Sequence, residues 1–89
     1  MPPAEQAYEE LTPQLVVMLD MVVEQRTRKE IADWAGVTES AIRDRLLRLE
    51  AITESGDQRE LARWWLAHKK PWLLWLLAQL KVDPQELVR

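Results

Sequence analysis

The 89-residue sequence has no cysteine and a single histidine, His68. The first absence excludes disulfides and thiolate metal sites within the chain and fits a reducing compartment. The second leaves one imidazole among scattered carboxylates, which does not compose a metal site, so neither a metal nor another cofactor is expected. Long apolar runs are also missing. The longest, Trp72 to Ala78, has seven residues, against the roughly 20 that a membrane-spanning helix requires. The opening residues Met1-Pro2-Pro3-Ala4-Glu5 lack the basic start and apolar stretch of a secretory signal. The expectations are therefore a cytoplasmic location and no membrane partner. There is no internal repeat and no low-complexity tract. No nucleophile stands beside a base, no glycine loop is built to hold phosphate, and no carboxylate pair marks a cleft, so an enzyme is not expected.

What is present fits one domain with one core. A chain this short buries only a modest fraction of its surface, so surplus apolar surface raises the question of a partner. The formal charge is −3, but its distribution is uneven. Residues 1–25 carry Glu5, Glu9, Glu10, Asp20 and Glu24 and no Lys or Arg, whereas residues 26–70 carry ten Lys or Arg against eight Asp or Glu. The mildly basic centre can serve an anionic partner, with modest non-specific affinity.

Residues 1–11 read as a flexible acidic arm and residues 12–89 as the domain. Thr12-Pro13 has the form of a helix start, and Leu15, Val16, Leu19, Val22 and Val23 recur at helical spacing towards Gln25. Thr27-Arg28-Lys29-Glu30 has the form of a capping box, opening a short helix that Gly36 ends. Thr38 caps the next, with Ile42, Leu46 and Leu49 on one face. Residues 52–70 admit two readings. A strand over Ile52–Ser55, a Gly56-Asp57 turn and a second strand over Glu60–Leu66 make a hairpin. Alternatively Asp57 and Glu60 open a helix with Leu61, Trp64, Trp65 and His68 on one side and Lys69 and Lys70 in its last turn. Pro71 is expected to stop whatever precedes it and to open an apolar helix over 71–80; Asp83-Pro84 starts a final turn.

The run Lys29-Glu-Ile-Ala-Asp-Trp-Ala-Gly-Val-Thr-Glu-Ser-Ala-Ile-Arg43 carries the most information. It places a small residue, Ala32, at a helix crossing, a glycine in the turn, and Ile42 pointing back to the core. This wording resembles the helix-turn-helix families over about 22 residues, from Arg28 to Leu49. The following passage, Leu46 to Ala67, resembles the helix-then-wing segment of winged-helix repressors, though the Gly-Leu pair common before the first wing strand is missing and Asp57 and Glu60 flank Arg59. The resemblance implies a mainly α, winged helix-turn-helix fold with a β-hairpin wing near 52–66; the alternative is an all-α bundle of five helices.

By the same resemblance, the helix over 39–50 would enter the major groove of double-stranded DNA. Thr38, Glu39, Ser40, Arg43 and Asp44 would face the bases, with Arg43 suited to pair bidentately with guanine. Arg28, Lys29 and Arg48 would approach phosphates, and Arg59 would do so from the wing. Glu39 and Asp44 also have a plainer use, as acids favoured near a helix start. Five tryptophans are many for a small core; Trp34 reads as core, whereas Trp72, Leu73, Trp75, Leu76 and Leu80 read as an interface, most simply of a homodimer. The expected function is that of a small dimeric transcription regulator. The alternative is a protein-interaction module on the same scaffold, docking on a transcription or replication complex through its C-terminal helix.

Overall fold

The computed structural model describes residues 4–87. Five α-helices follow in order: α1 (Ala4–Glu9), α2 (Pro13–Val23), α3 (Arg28–Ala35), α4 (Glu39–Thr53) and α5 (Gln58–Gln79), with a 3₁₀ turn over Pro84–Leu87. The described residues contain no strand, so the architecture is the all-α alternative and not the winged one.

Helix starts follow local chemistry. The Thr12 hydroxyl accepts from the Leu15 amide at 3.2 Å with Pro13 next in line, and the Thr38 hydroxyl accepts from the Ala41 amide at 3.1 Å. At α3 the capping box closes both ways: the Glu30 amide donates to Thr27 at 3.1 Å and the Thr27 amide donates to the Glu30 carboxylate at 3.2 Å. Asp57 caps α5 by accepting from the Glu60 amide at 2.8 Å, and the Glu60 carboxylate returns to the Gly56 amide. Each contact satisfies an amide that the helix itself leaves unpaired.

Helix ends are chemically less obvious. After α2, α4 and α5 the chain turns through a left-handed residue, Gln25, Glu54 and Lys81 respectively, each with φ near +60°. The pattern is the same each time: Arg26 donates to the Met21 carbonyl, Ser55 to Glu50 and Val82 to Leu77, while the left-handed residue donates to Val22, Ala51 or Ala78. These are Schellman turns, which normally use glycine. Only α3 ends that way, at Gly36 with φ 70°.

The wing fails for a geometric reason. A strand would point Trp64 and Trp65 to opposite faces. A helix instead sets Leu61, Trp64, Trp65 and His68 along one side, where Leu61 and Trp65 are buried and Trp64 packs against the core. Pro71 does not stop this helix either. Internal proline costs about 3 kcal/mol or more, but Pro71 and Ala67 are both exposed, so the carbonyl that loses its donor can be hydrated, and aromatic packing on both sides of Pro71 holds the axis. The helices expected before and after Pro71 are therefore one, of about 33 Å.

Of the expected 1–11 arm, residues 4–11 are packed on the domain, and residues 1–3 lie outside the described residues. Over residues 4–11, Ala7, Tyr8 and Leu11 are buried. The Tyr8 hydroxyl lies 2.7 Å from His68 Nδ1, and its ring meets Trp64 and Trp75 edge-on or tilted. Burial, with Glu5 nearby, pushes the Tyr8 phenol above its usual range. His68 stacks on Trp64 with ring centroids 4.4 Å apart and is part of this aromatic cluster rather than a solvated side chain.

The core lies between α2, α4 and α5, with Met18, Leu19, Ile31, Ile42, Leu49, Leu61 and Trp65 its most enclosed side chains. Trp65 is 1% exposed and donates its indole N–H to Asp20 of α2 at 2.8 Å. Asp20 also takes Lys69 Nζ at 3.0 Å. By contrast, the enclosed Trp72 Nε1 has no hydrogen-bond partner among the described residues.

Replacing Asp20 with Ala strands a buried indole donor and is expected to lower unfolding free energy by about 1–3 kcal/mol in a denaturant titration, with Asp20→Asn losing less. In the opposite direction, Glu54→Gly relieves a left-handed non-glycine residue and is expected to raise stability by about 1 kcal/mol, read as a higher denaturation midpoint at unchanged slope.

Candidate nucleic-acid interface

A short turn joins α3 to α4 where the glycine of the sequence implies one. Gly36, Val37 and Thr38 join α3 to α4, and the Val37 amide donates to the Ala32 carbonyl at 3.1 Å. Gly36 sits in open space, with nothing within 4 Å of an added Cβ. Glycine is used here for its backbone freedom alone. Ile31 and Ala32 of α3 and Ile42 and Leu46 of α4 are buried in one core.

Burying Ile42, Leu46, Leu49 and Thr53 turns the opposite side of α4 outward. Ser40, Arg43, Asp44, Leu47 and Arg48 recur there at steps of three and four and are all exposed, so they form one face. Thr38 and Glu39 are exposed at its N-terminal end, and Arg28 and Lys29 are exposed at the start of α3. Arg28 and Arg43 line one shallow concavity of about 370 Å³, floored by Leu46 and Leu47 and bordered by Glu50, Gly56, Asp57 and Gln58. Among the described residues, no ion pair engages Arg28, Lys29, Arg43 or Arg48.

Other expected positions are dispersed. With no wing to carry it, Arg59 stands on the first turn of α5 and lines a separate hollow of about 300 Å³ with Arg26, Gln25 and Val23. It does not share the α4 face. Arg45 of α4, not one of the expected positions, donates to Gln14 of α2 at 3.3 Å. Trp34 is not core; it is 47% exposed.

The expected C-terminal interface divides. Trp72 and Trp75 pack against the core, because they fall on the inner side of α5 with Trp65, whereas Leu73 and Leu80 point outward and Leu76 is half-buried. The two tryptophans, expected at an interface, are half-buried and face inward, unlike Leu73 and Leu80.

One residue of the α4 face escaped the sequence reading. Leu47 is 51% exposed beside Arg43 and Arg48. Its place four residues after Arg43, out of step with Ile42, Leu46 and Leu49, was the available signal.

Electrostatics around α3 are set by its cap. Hydrogen bonding with Thr27, then with Arg26, holds the Glu30 carboxyl below the usual glutamate range, and the bonds from Arg26 to Glu24 and Glu30 hold that guanidinium charged. Arg26 is thus engaged locally, at 3.2 Å from each carboxylate. Among the described residues, no group of three or more His, Asp or Glu side chains converges as metal ligands, and no helix is long and apolar enough to cross a membrane.

No family model, curated protein or solved structure matches the chain.

The Glu30 pKa is lower folded than unfolded, so the capping box contributes fully above the unfolded glutamate range and loses its contribution as pH falls through the lower folded value. Comparing Glu30→Gln with the parent chain from neutral pH to pH 3, the stability difference between them is expected to shrink as the solution is acidified.

Proposed function

We propose that this chain binds double-stranded DNA sequence-specifically, as a small transcription regulator, by laying the outer face of α4 in the major groove. The carrying observation is the pairing of Arg28 and Arg43 from the two helices of the motif around one concavity, with neither guanidinium engaged in an ion pair among the described residues. Removing such charges from water would need a partner rich in fixed acceptors, and a duplex supplies phosphates on its rim and guanine N7 and O6 in its groove.

The division of labour follows from position. Arg43, one turn into α4, reads a base; Ser40 accepts or donates beside it; Leu47 offers an apolar contact for a thymine methyl. Arg28, Lys29 and Arg48 hold the backbone. Glu39 and Asp44 limit affinity for DNA of arbitrary sequence, which together with the −3 formal charge makes the specific contacts matter more.

A second reading, docking on a protein of the transcription or replication machinery, is favoured by one observation: Trp34, Leu47 and the outer leucines of α5 are all exposed on a small chain.

Selection from random duplexes followed by titration separates them. The parent chain is expected to enrich one sequence and to lose affinity steeply with salt. Arg43→Ala should weaken the selected site by about 1–3 kcal/mol, relaxing preference at one base pair, whereas Arg28→Ala should weaken all duplexes alike. No binding to any duplex at low salt would leave the protein-docking reading.

A further inference from the structure

Gln58 borders two hollows, the concavity at Arg28 and Arg43 and the separate one of about 300 Å³ at Arg59, so the two adjoin. The second is walled by the turn after α2 and the first turn of α5. These supply two guanidiniums, Arg26 and Arg59, and two carboxamides, Gln25 and Gln58, over an apolar floor that includes Val22 and Ala62. Among the described residues no carboxylate lines it, whereas Glu50 and Asp57 border the concavity at Arg43.

The two guanidiniums differ in their surroundings. Arg26 donates through Nε to Glu24 and through Nη1 to Glu30, each at 3.2 Å, which orients the side chain and offsets its charge. Arg59 enters no ion pair among the described residues. Arg63 follows four residues later, exposed on the same side of α5. A guanidinium donates and cannot accept, and a carboxamide can do either. Such a set in a hollow without a carboxylate fits an oxyanion.

We propose that this hollow holds a phosphate, namely a backbone phosphodiester of the duplex whose bases the α4 face reads. The inference rests on the DNA-binding reading and extends it to a second contact, made by α5 and the turn before α3. Arg59 supplies the charge, and Arg26, Gln25 and Gln58 supply hydrogen bonds. The border at Gln58 lets one duplex cover both hollows, which places this phosphate on the flank of the bases beside Arg43. A free phosphate ester would meet the same donors; continuity with the α4 face favours the duplex.

The test uses the duplex selected by the parent chain and copies of it in which one phosphate at a time is replaced by an uncharged methylphosphonate. Arg59→Ala is expected to weaken binding about five- to tenfold and to lower the slope of log affinity against log salt by about 1. Base preference and helical circular dichroism should stay unchanged, because Arg59 is exposed and lies outside the α4 face. Arg59→Lys should recover the slope, since it keeps the charge. One flanking methylphosphonate should weaken the parent by a similar factor and leave Arg59→Ala unaffected, as coupled partners do. Parent-like binding by Arg59→Ala, or equal losses for the two chains at every methylphosphonate, would overturn this inference and leave the α4 reading standing. Failure to bind any duplex at low salt would remove both. Inorganic phosphate bound by the parent and not by Arg59→Ala, with no duplex bound, would assign the hollow to a free phosphate compound and overturn the duplex as its occupant.

Discussion

The structure depends on Trp65 being fully enclosed with its indole N–H satisfied. One tryptophan at the centre of α5 can fill the space between α2 and α4 only if its nitrogen finds an acceptor, because an unpaired buried donor costs about 1–3 kcal/mol. Asp20 provides it from α2 while keeping part of its carboxylate towards solvent and Lys69. Once this contact is made, the direction of α5 relative to α2 is set. Trp64, His68, Trp72 and Trp75 then fall along the same inner side and give α1 its seat through Tyr8. The outer leucines are left in water by the same rotation.

The candidate interface inherits its form from this arrangement. α3 contributes Ile31 and Ala32, and α4 contributes Ile42, Leu46 and Leu49, to the core they share with α5. A helix supported along one face has no freedom to roll, so Ser40, Arg43, Leu47 and Arg48 stay outward together. The charges on that face are mixed. Arg28, Arg43 and Arg48, which make no ion pair among the described residues, stand near Asp44, Glu50 and Asp57, so the face carries little net charge.

Most helix starts were legible in the sequence, that at Asp57 only as the alternative to a hairpin turn, while the backbone turns that end the helices were not. Thr12-Pro13, Thr27 with Glu30, Thr38, and Asp57 with Glu60 all cap as their side chains suggest, because an N-terminal cap is a side-chain bond made within four residues. The ends after α2, α4 and α5 pass through Gln25, Glu54 and Lys81, residues with no preference for a left-handed backbone. Nothing local announces them. A left-handed conformation at such residues carries a cost that glycine would have avoided, and the left-handed turn at Gly36 could be read in advance.

The hairpin expected at 52–66 and the stop expected at Pro71 fell for a shared reason. Each was judged by a few residues, whereas the outcome was settled by the whole inner side of α5, where Leu61, Trp64, Trp65, Trp72 and Trp75 are all accommodated only if the helix is unbroken. The acidic arm became α1 because Tyr8 met that aromatic side, a contact between residues 60 apart. By itself the sequence determined the caps and the glycine turn between α3 and α4, since these rest on bonds between near neighbours in the chain. Only the tertiary structure decided that α5 is continuous, which tryptophans lie inside, that Arg59 stands apart from Arg43, and that Leu47 and the outer leucines of α5 remain outside, since each depends on which way a helix is rolled against partners distant in sequence.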